Sequence, residues 1–195
     1  MRPRPRPAGE GGDVTPARAK KAGQARPAFR MSLAGPEDAQ AVANVRTAAD
    51  AGLAVRYGRR PSVTSARGVL AEMKRARVYL ARRRGEVIAT LTLGTRKPWA
   101  IDLRYFPKRA HPLYLTSMAV LPGLQGEGIG RRCLEEALRL AREWPAGPAD
   151  VIRLDAYDAD YGAGGFYRSC GYREVAHASY RGTPLIYYEI DVPQP

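Results

Sequence analysis

The chain has 195 residues, 45% of them hydrophobic, which matches one compact domain with one apolar core and excludes a wholly disordered protein. Lys and Arg number 32 against 19 Asp and Glu, and the resulting +13 predicts a surface that attracts phosphorylated ligands, nucleic acid or anionic lipid. Two cysteines, Cys133 and Cys170, lie too far apart for a metal-ligand spacing or a disulfide-rich scaffold, so a reducing, cytoplasmic setting is expected. No stretch approaches the roughly 18 apolar residues of a membrane span, and no secretory apolar core follows the Arg-rich start, so a membrane is not among the expected partners.

Residues 1–28 are basic and Pro-rich, with almost no large apolar side chain to offset ordering entropy, and are expected to form a disordered tail. Eight basic and two acidic residues between Met1 and Arg30 place +6 of the charge there. Charge alone predicts at most a weak, unspecific nucleic-acid contact through this tail, which lacks the aromatics of a recognition module. The folded unit is expected over 29–192.

Phe29, Met31 and Leu33 alternate as a short strand does, and Gly35-Pro36-Glu37-Asp38 opens a helix with acids in its first turn. A second helix is predicted from about Ser65 through Lys74. Val78–Ala81 and Val87–Leu93, joined by a polar turn at Arg84-Gly85, read as a hairpin. Residues 96–112 mix aromatics and prolines without a period and predict an irregular loop, either lining a pocket or simply pinned to the surface.

Leu113–Val120 is a strand, Pro122-Gly123 a turn, and Ile129–Trp144 a helix on which Glu135 and Arg139 should pair at i,i+4. A strand at Val151–Ala156, a short helix at Gly162–Ser169, a left-handed cap at Gly171 and strands at Tyr172–Ala178 and Leu185–Val192 complete the chain. The order predicts an α/β fold with a mixed sheet.

The segment from Val120 to Arg132 leads from a strand through a glycine-rich loop into an amphipathic helix, a geometry suited to phosphate. Gly126, Gly128 and Gly130 let backbone N–H groups approach an anion, and the helix start adds unpaired donors and a positive dipole end. No Lys follows as a P-loop requires, and the G-x-G-x-G spacing misses the dinucleotide-binding G-x-G-x-x-G.

Gln125-Gly-Glu-Gly128-Ile-Gly130 resembles the Q/R-x-x-G-x-G/A loop of the Gcn5-related N-acetyltransferases, the GNAT family. Asp160-x-x-Ala163-x-x-Phe166-Tyr167-x-x-x-Gly171-Tyr172 is similar to that family's N-x-x-A-x-x-L/F-Y-x-x-x-G-F signature, with Asp160 in place of Asn. The resemblance spans roughly residues 29–190. It implies a central, largely antiparallel mixed sheet flanked by helices, with one parallel strand pair splayed apart to admit acetyl-CoA.

By the same resemblance, Met118, Ala119, Val120, Gln125, Gly126, Glu127, Gly128, Ile129, Gly130, Arg131, Asp160 and Phe166 would contact the coenzyme. A backbone N–H near Ala119 or Val120 would polarise the acetyl carbonyl, and Tyr167 would protonate the departing thiolate. The implied reaction is direct transfer of acetyl to a primary amine, on a small molecule or a peptide, with no metal and no enzyme-bound acyl group.

The general base stays open: Thr116 and Ser117 stand where some relatives carry a carboxylate, and Asp102, Asp155 and Asp158 are nearby in sequence. Tyr57, Trp99, Tyr105, Tyr157, Tyr161 and Tyr187 are candidates for an acceptor wall or for ordinary packing. His111 and His177 lack ligand-spaced partners and read as loop or strand residues. Two other readings remain: a basic nucleic-acid-binding protein and a non-catalytic CoA-binding module. Oligomerisation through the terminal strands is possible by analogy.

Overall fold

A computed structural model describes residues 28–160 and 162–193, so the basic-tail expectation and Tyr161 fall outside the described residues. Seven strands form one sheet: β1 (Arg30–Leu33), β2 (Arg77–Arg83), β3 (Glu86–Gly94), β4 (Pro112–Val120), β5 (Val151–Tyr157), β6 (Arg173–Tyr180) and β7 (Thr183–Asp191). Their order across the sheet is β1-β2-β3-β4-β5-β7-β6. Every neighbouring pair is antiparallel except β4 with β5, which is parallel.

Among the described residues the α-helices are α1 (Ala39–Arg56), α2 (Ala66–Met73), α3 (Ile129–Arg142) and α4 (Gly164–Ser169). Among the described residues no helix is long and apolar enough to cross a membrane. The expected opening of the first helix at residues 35–38 is a 3-10 turn, Pro36–Asp38, that runs straight into α1. Asp38 closes this turn by accepting from the Gly35 N–H at 3.0 Å. Ser65 caps α2 by accepting from the Gly68 N–H at 3.1 Å.

The helices cover opposite faces of the sheet. Ile129, Cys133, Leu134 and Ala137 of α3 pack with Tyr167 of α4 onto Leu113, Leu115, Ile152, Leu154 and Ala156. On the other face Ala39, Val42 and Ala43 of α1 and Val69 of α2 enclose Val78 and Leu80. Farther along that face, Val45 and Ala49 of α1 meet Ala119 of β4. A further cluster, Ile101, Phe106, Tyr114, Leu185 and Tyr187, fixes the 96–112 segment against β4 and β7. That segment is therefore irregular, as its sequence predicts, but anchored.

The pairing on α3 differs from expectation. Arg139 binds Glu136 at 2.9 Å and Glu143 at 2.5 Å, while Glu135 is taken by Arg132 at 3.3 Å. Arg139 has acids one turn away on both sides, and the guanidinium fork engages those two rather than Glu135.

Candidate active site

The site is built on the parallel pair. β4 and β5 are in register only over Pro112–Tyr114 and Val151–Arg153; beyond Tyr114 and Arg153 they no longer pair. The cause lies in β4. Register against β3 shifts between Thr116 and Ala119, and Ser117 takes a left-handed φ of 51°, the mark of a bulge.

The extra residue inverts the side-chain alternation. Leu113 and Leu115 face α3 before the bulge, Met118 and Val120 after it, so Tyr114 and Ala119 end on the α1 face. It also bends β4 away from β5 and opens a wedge between them.

Backbone direction around the wedge follows from one bond. The Leu121 N–H donates to the Ile88 carbonyl on β3 at 3.0 Å, so alternation turns Ala119 toward β3 and Val120 toward the open edge. The Gln125 Nε2 donates to the Val120 carbonyl at 3.3 Å, which agrees with that direction. Of the two candidate amides, Val120 is the one that faces the wedge.

At one mouth of the wedge lies the start of α3. Gly126 (φ 88°) and the N-cap Gly128 (φ 80°) hold left-handed conformations that side chains resist, and a Cβ on Gly126 would meet open space. Among the described residues, no acceptor is found for the amides of residues 126–131. They form an exposed concavity of donors at a positive helix end.

Gly130 has a different task. A Cβ there would stand 3.0 Å from Phe166 and 3.4 Å from Met118, so this glycine lets α3 close onto α4 and β4. Ile129 is a core residue and offers the loop only its backbone. Arg131 donates to Ser169 Oγ at 3.1 Å from an exposed position, Glu127 pairs with Arg83 at 2.7 Å, and Arg132 is held by Glu135 and Glu136. Asp160 is exposed in the turn before α4, with no hydrogen bond among the described residues.

Tyr167 sits in a cluster of aromatic rings, 5.6 Å from Tyr172 and 5.8 Å from Tyr188 between centroids. The three hydroxyls differ in what they are free to do. Tyr188 accepts from Arg168 at 3.2 Å, Tyr172 is sealed without a partner among the described residues, and the Tyr167 hydroxyl donates to no described residue yet is not sealed from solvent. Burial first, and then the negative charge of Asp155, push the Tyr167 pKa well above the phenol range, so the group stays protonated.

The structure separates the three aspartates. Asp102 is locked onto Arg104 by three side-chain hydrogen bonds and one from the Arg104 N–H, and Asp158 accepts from His177 Nδ1 at 2.7 Å. Asp155 lies on β5 opposite Tyr187, just past the last paired residue, on the α1 face. It has no ion pair among the described residues, and burial raises its pKa above the ordinary carboxylate value. That combination suits a general base.

One carboxylate escaped sequence reasoning altogether. Glu72 on α2 is ion-paired with the buried Arg46 of α1, which also donates to Thr92 at 2.9 Å, and its other oxygen lies 3.4 Å from Ser117 Oγ. Nothing in the spacing of residues 46, 72, 92 and 117 signals this network, because each sits on a different element.

The two thiols are poorly suited to carry an acyl group. Burial pushes Cys133 up to about 12 and raises Cys170 as well, leaving both as thiols at neutral pH. Among the described residues no group of three or more His, Cys, Asp or Glu side chains could hold a metal ion.

The family model for the acetyltransferase (GNAT) family matches residues 52–172. No curated protein matches the chain in sequence. Solved structures with the same fold include an N-acetyltransferase from Staphylococcus aureus Mu50, at TM-score 0.63 and 15% identity over 85% of this chain and 99% of that one. The yncA protein from Salmonella typhimurium, solved with acetyl-CoA as its cofactor, superposes at TM-score 0.60 and 18% identity over 86% and 95%. The ribosomal-protein-S18-alanine N-acetyltransferase of Escherichia coli gives TM-score 0.61 and 17% identity over 86% and 96%. Match and fold agree with the bulged, splayed strand pair and its glycine-capped helix: the chain belongs to the GNAT acetyltransferase family.

Proposed function

We propose that the protein transfers an acetyl group from acetyl-CoA to a primary amine, with residues 29–192 acting as one catalytic unit. The observation that carries this reading is the wedge between β4 and β5, with unpaired amides of 126–131 at its mouth, a free Tyr167 hydroxyl on one face and Asp155 on the other. The donor set fits the coenzyme: an exposed nest of N–H groups beside Arg131 suits a diphosphate, and a strand edge without a partner suits the amides of a pantetheine arm. Acetyl-CoA supplies the acyl group as an activated thioester.

The residues then divide the work by face. Asp155 takes a proton from the acceptor ammonium, giving the neutral nitrogen whose lone pair forms the new bond to the acyl carbon. The Val120 N–H holds the carbonyl oxygen as negative charge grows there. Tyr167 gives its proton to the sulfur as the carbon–sulfur bond breaks. Met118 and Phe166 close the floor against Gly130, and neither thiol is needed.

Tyr167→Phe tests the assignment. Turnover, followed by thiol release, should drop by about 10²-fold while acetyl-CoA affinity in calorimetry stays close to wild type. Unchanged turnover removes Tyr167 from the acid role, and failure to bind acetyl-CoA removes the transferase reading itself.

A further inference from the structure

A cavity of about 280 Å³ opens on the α1/α2 side of the sheet, walled by Thr92 of β3, Tyr114 and Thr116 of β4, Glu72 and Arg75 at the end of α2, and Arg96, Lys97 and Trp99. Thr116 lies two residues beyond Tyr114, the last β4 residue paired with β5, so the cavity adjoins the point where the wedge begins. It lies on the Asp155 side of the sheet, where the transferase reading brings in the acceptor.

Its charge is one-sided. Arg75 and Arg96 are exposed and make no ion pair among the described residues. Lys97 donates to the Pro98 and Ile101 carbonyls at 3.1 and 2.7 Å, which orients the ammonium without neutralising it. The cavity's own carboxylate, Glu72, is already balanced by Arg46. Three cations therefore face a space with no net negative charge.

A simple alkylammonium would be repelled from such a cavity. An amine that also bears an anion would be drawn in, and its ammonium would lose a proton more readily beside these cations. Trp99, 81% exposed on the wall, adds an apolar face for the body of the molecule.

We infer that the acceptor is an amine carrying an anionic group, a carboxylate or a phosphate, seated against Arg75, Arg96 and Lys97 with its nitrogen toward Thr116 and the wedge. This rests on the transferase reading and narrows it, placing polyamines and Lys-rich peptides outside the substrate range.

The test uses two matched pairs of amines: phenylalanine with phenylalaninamide, and O-phosphoethanolamine with ethanolamine. Each is assayed for acetylation by thiol release, and for binding to CoA-saturated full-length protein through Trp99 fluorescence in a Trp144→Phe background. Acetyl-CoA binding is measured in the same preparation.

In at least one pair the anionic member should lead by about tenfold or more in kcat/KM or in affinity, and the pair that discriminates identifies carboxylate or phosphate. Arg96→Gln combined with Lys97→Gln should shrink that lead to about twofold, the anionic member losing activity and the anion-free member, no longer repelled, holding or gaining it. Anion-free members equal to or better than anion-bearing ones in both pairs, or no binding of any of the four with acetyl-CoA binding intact, overturns the inference alone. Loss of acetyl-CoA binding overturns it together with the transferase reading.

Discussion

At the scale of single residues, the site depends on groups held in unusual surroundings. Asp155 is a carboxylate placed where water is scarce and no cation answers it, so its proton is held above the usual carboxylate range. A base acts only when deprotonated. Under the proposed mechanism kcat/KM should therefore rise as pH climbs through that raised value, and fall below it. Asp155→Asn should abolish this limb and cost about 10²-fold at neutral pH, while any limb from the acceptor's own ammonium remains. A pH–rate profile that keeps its shape in the variant would move the base elsewhere.

The glycine loop and the Asp160 to Tyr172 signature were legible in the sequence because each is local: spacing along the chain is spacing in the turn. The bulge was not, since Ser117 adopts φ 51° without the glycine that usually announces such a backbone. Glu72 was equally hidden, being brought to Ser117 by the packing of α2 rather than by any motif. The choice among Asp102, Asp155 and Asp158 likewise needed partners that sequence does not reveal: a guanidinium for the first, an imidazole for the third, none for the second.

At the scale of elements, the wedge is only as firm as the strands that flank it. Arg153, the last β5 residue paired with β4, is buried with Glu189 of β7 at 3.2 Å, lies over Phe106 at 4.6 Å, and shares Glu189 with the half-exposed Arg173. Glu189 is completely buried and stands between two guanidinium groups. Removing it leaves the Arg153 charge in the interior without its counterion. Glu189→Gln should destabilise the fold by about 3 kcal/mol, read from denaturant midpoints at constant slope. A loss under about 1 kcal/mol would mean that water or Asp191 compensates.

Strands and the main helices could be placed from period and turn chemistry, since β3, β4 and α3 carry clear alternation or an amphipathic stripe. Which strand lies beside which could not be read from composition or period: β7 inserts between β5 and β6, an order that the chain's sequence of elements does not encode. The resemblance implied the parallel pair, and pairing geometry supplied the rest.

For the molecule as a whole, the positive excess of +13 bears on how a tetra-anionic coenzyme would arrive under the proposed function. Long-range attraction should make acetyl-CoA association fast at low salt and slow it as ionic strength shortens the Debye length from ~30 Å at 0.01 M to ~8 Å at 0.15 M. Stopped-flow binding across that range should show association falling severalfold with dissociation nearly constant. A salt-independent association rate would confine the role of charge to the loop itself.

The short zip of Pro112–Tyr114 on Val151–Arg153 leaves two half-sheets joined at one end, like a book held at the spine. A pantetheine arm slid between the pages would serve as a missing rung, so ligation becomes part of folding. The amides of 115–120 and 154–157 that face the wedge, Val120 among them, should accordingly exchange with deuterium quickly in the free protein and slowly once CoA is added, those turned to β3 and β7 staying slow in both states, with the melting temperature climbing with ligand concentration. Equal exchange in both states would show that the book is closed by the protein alone.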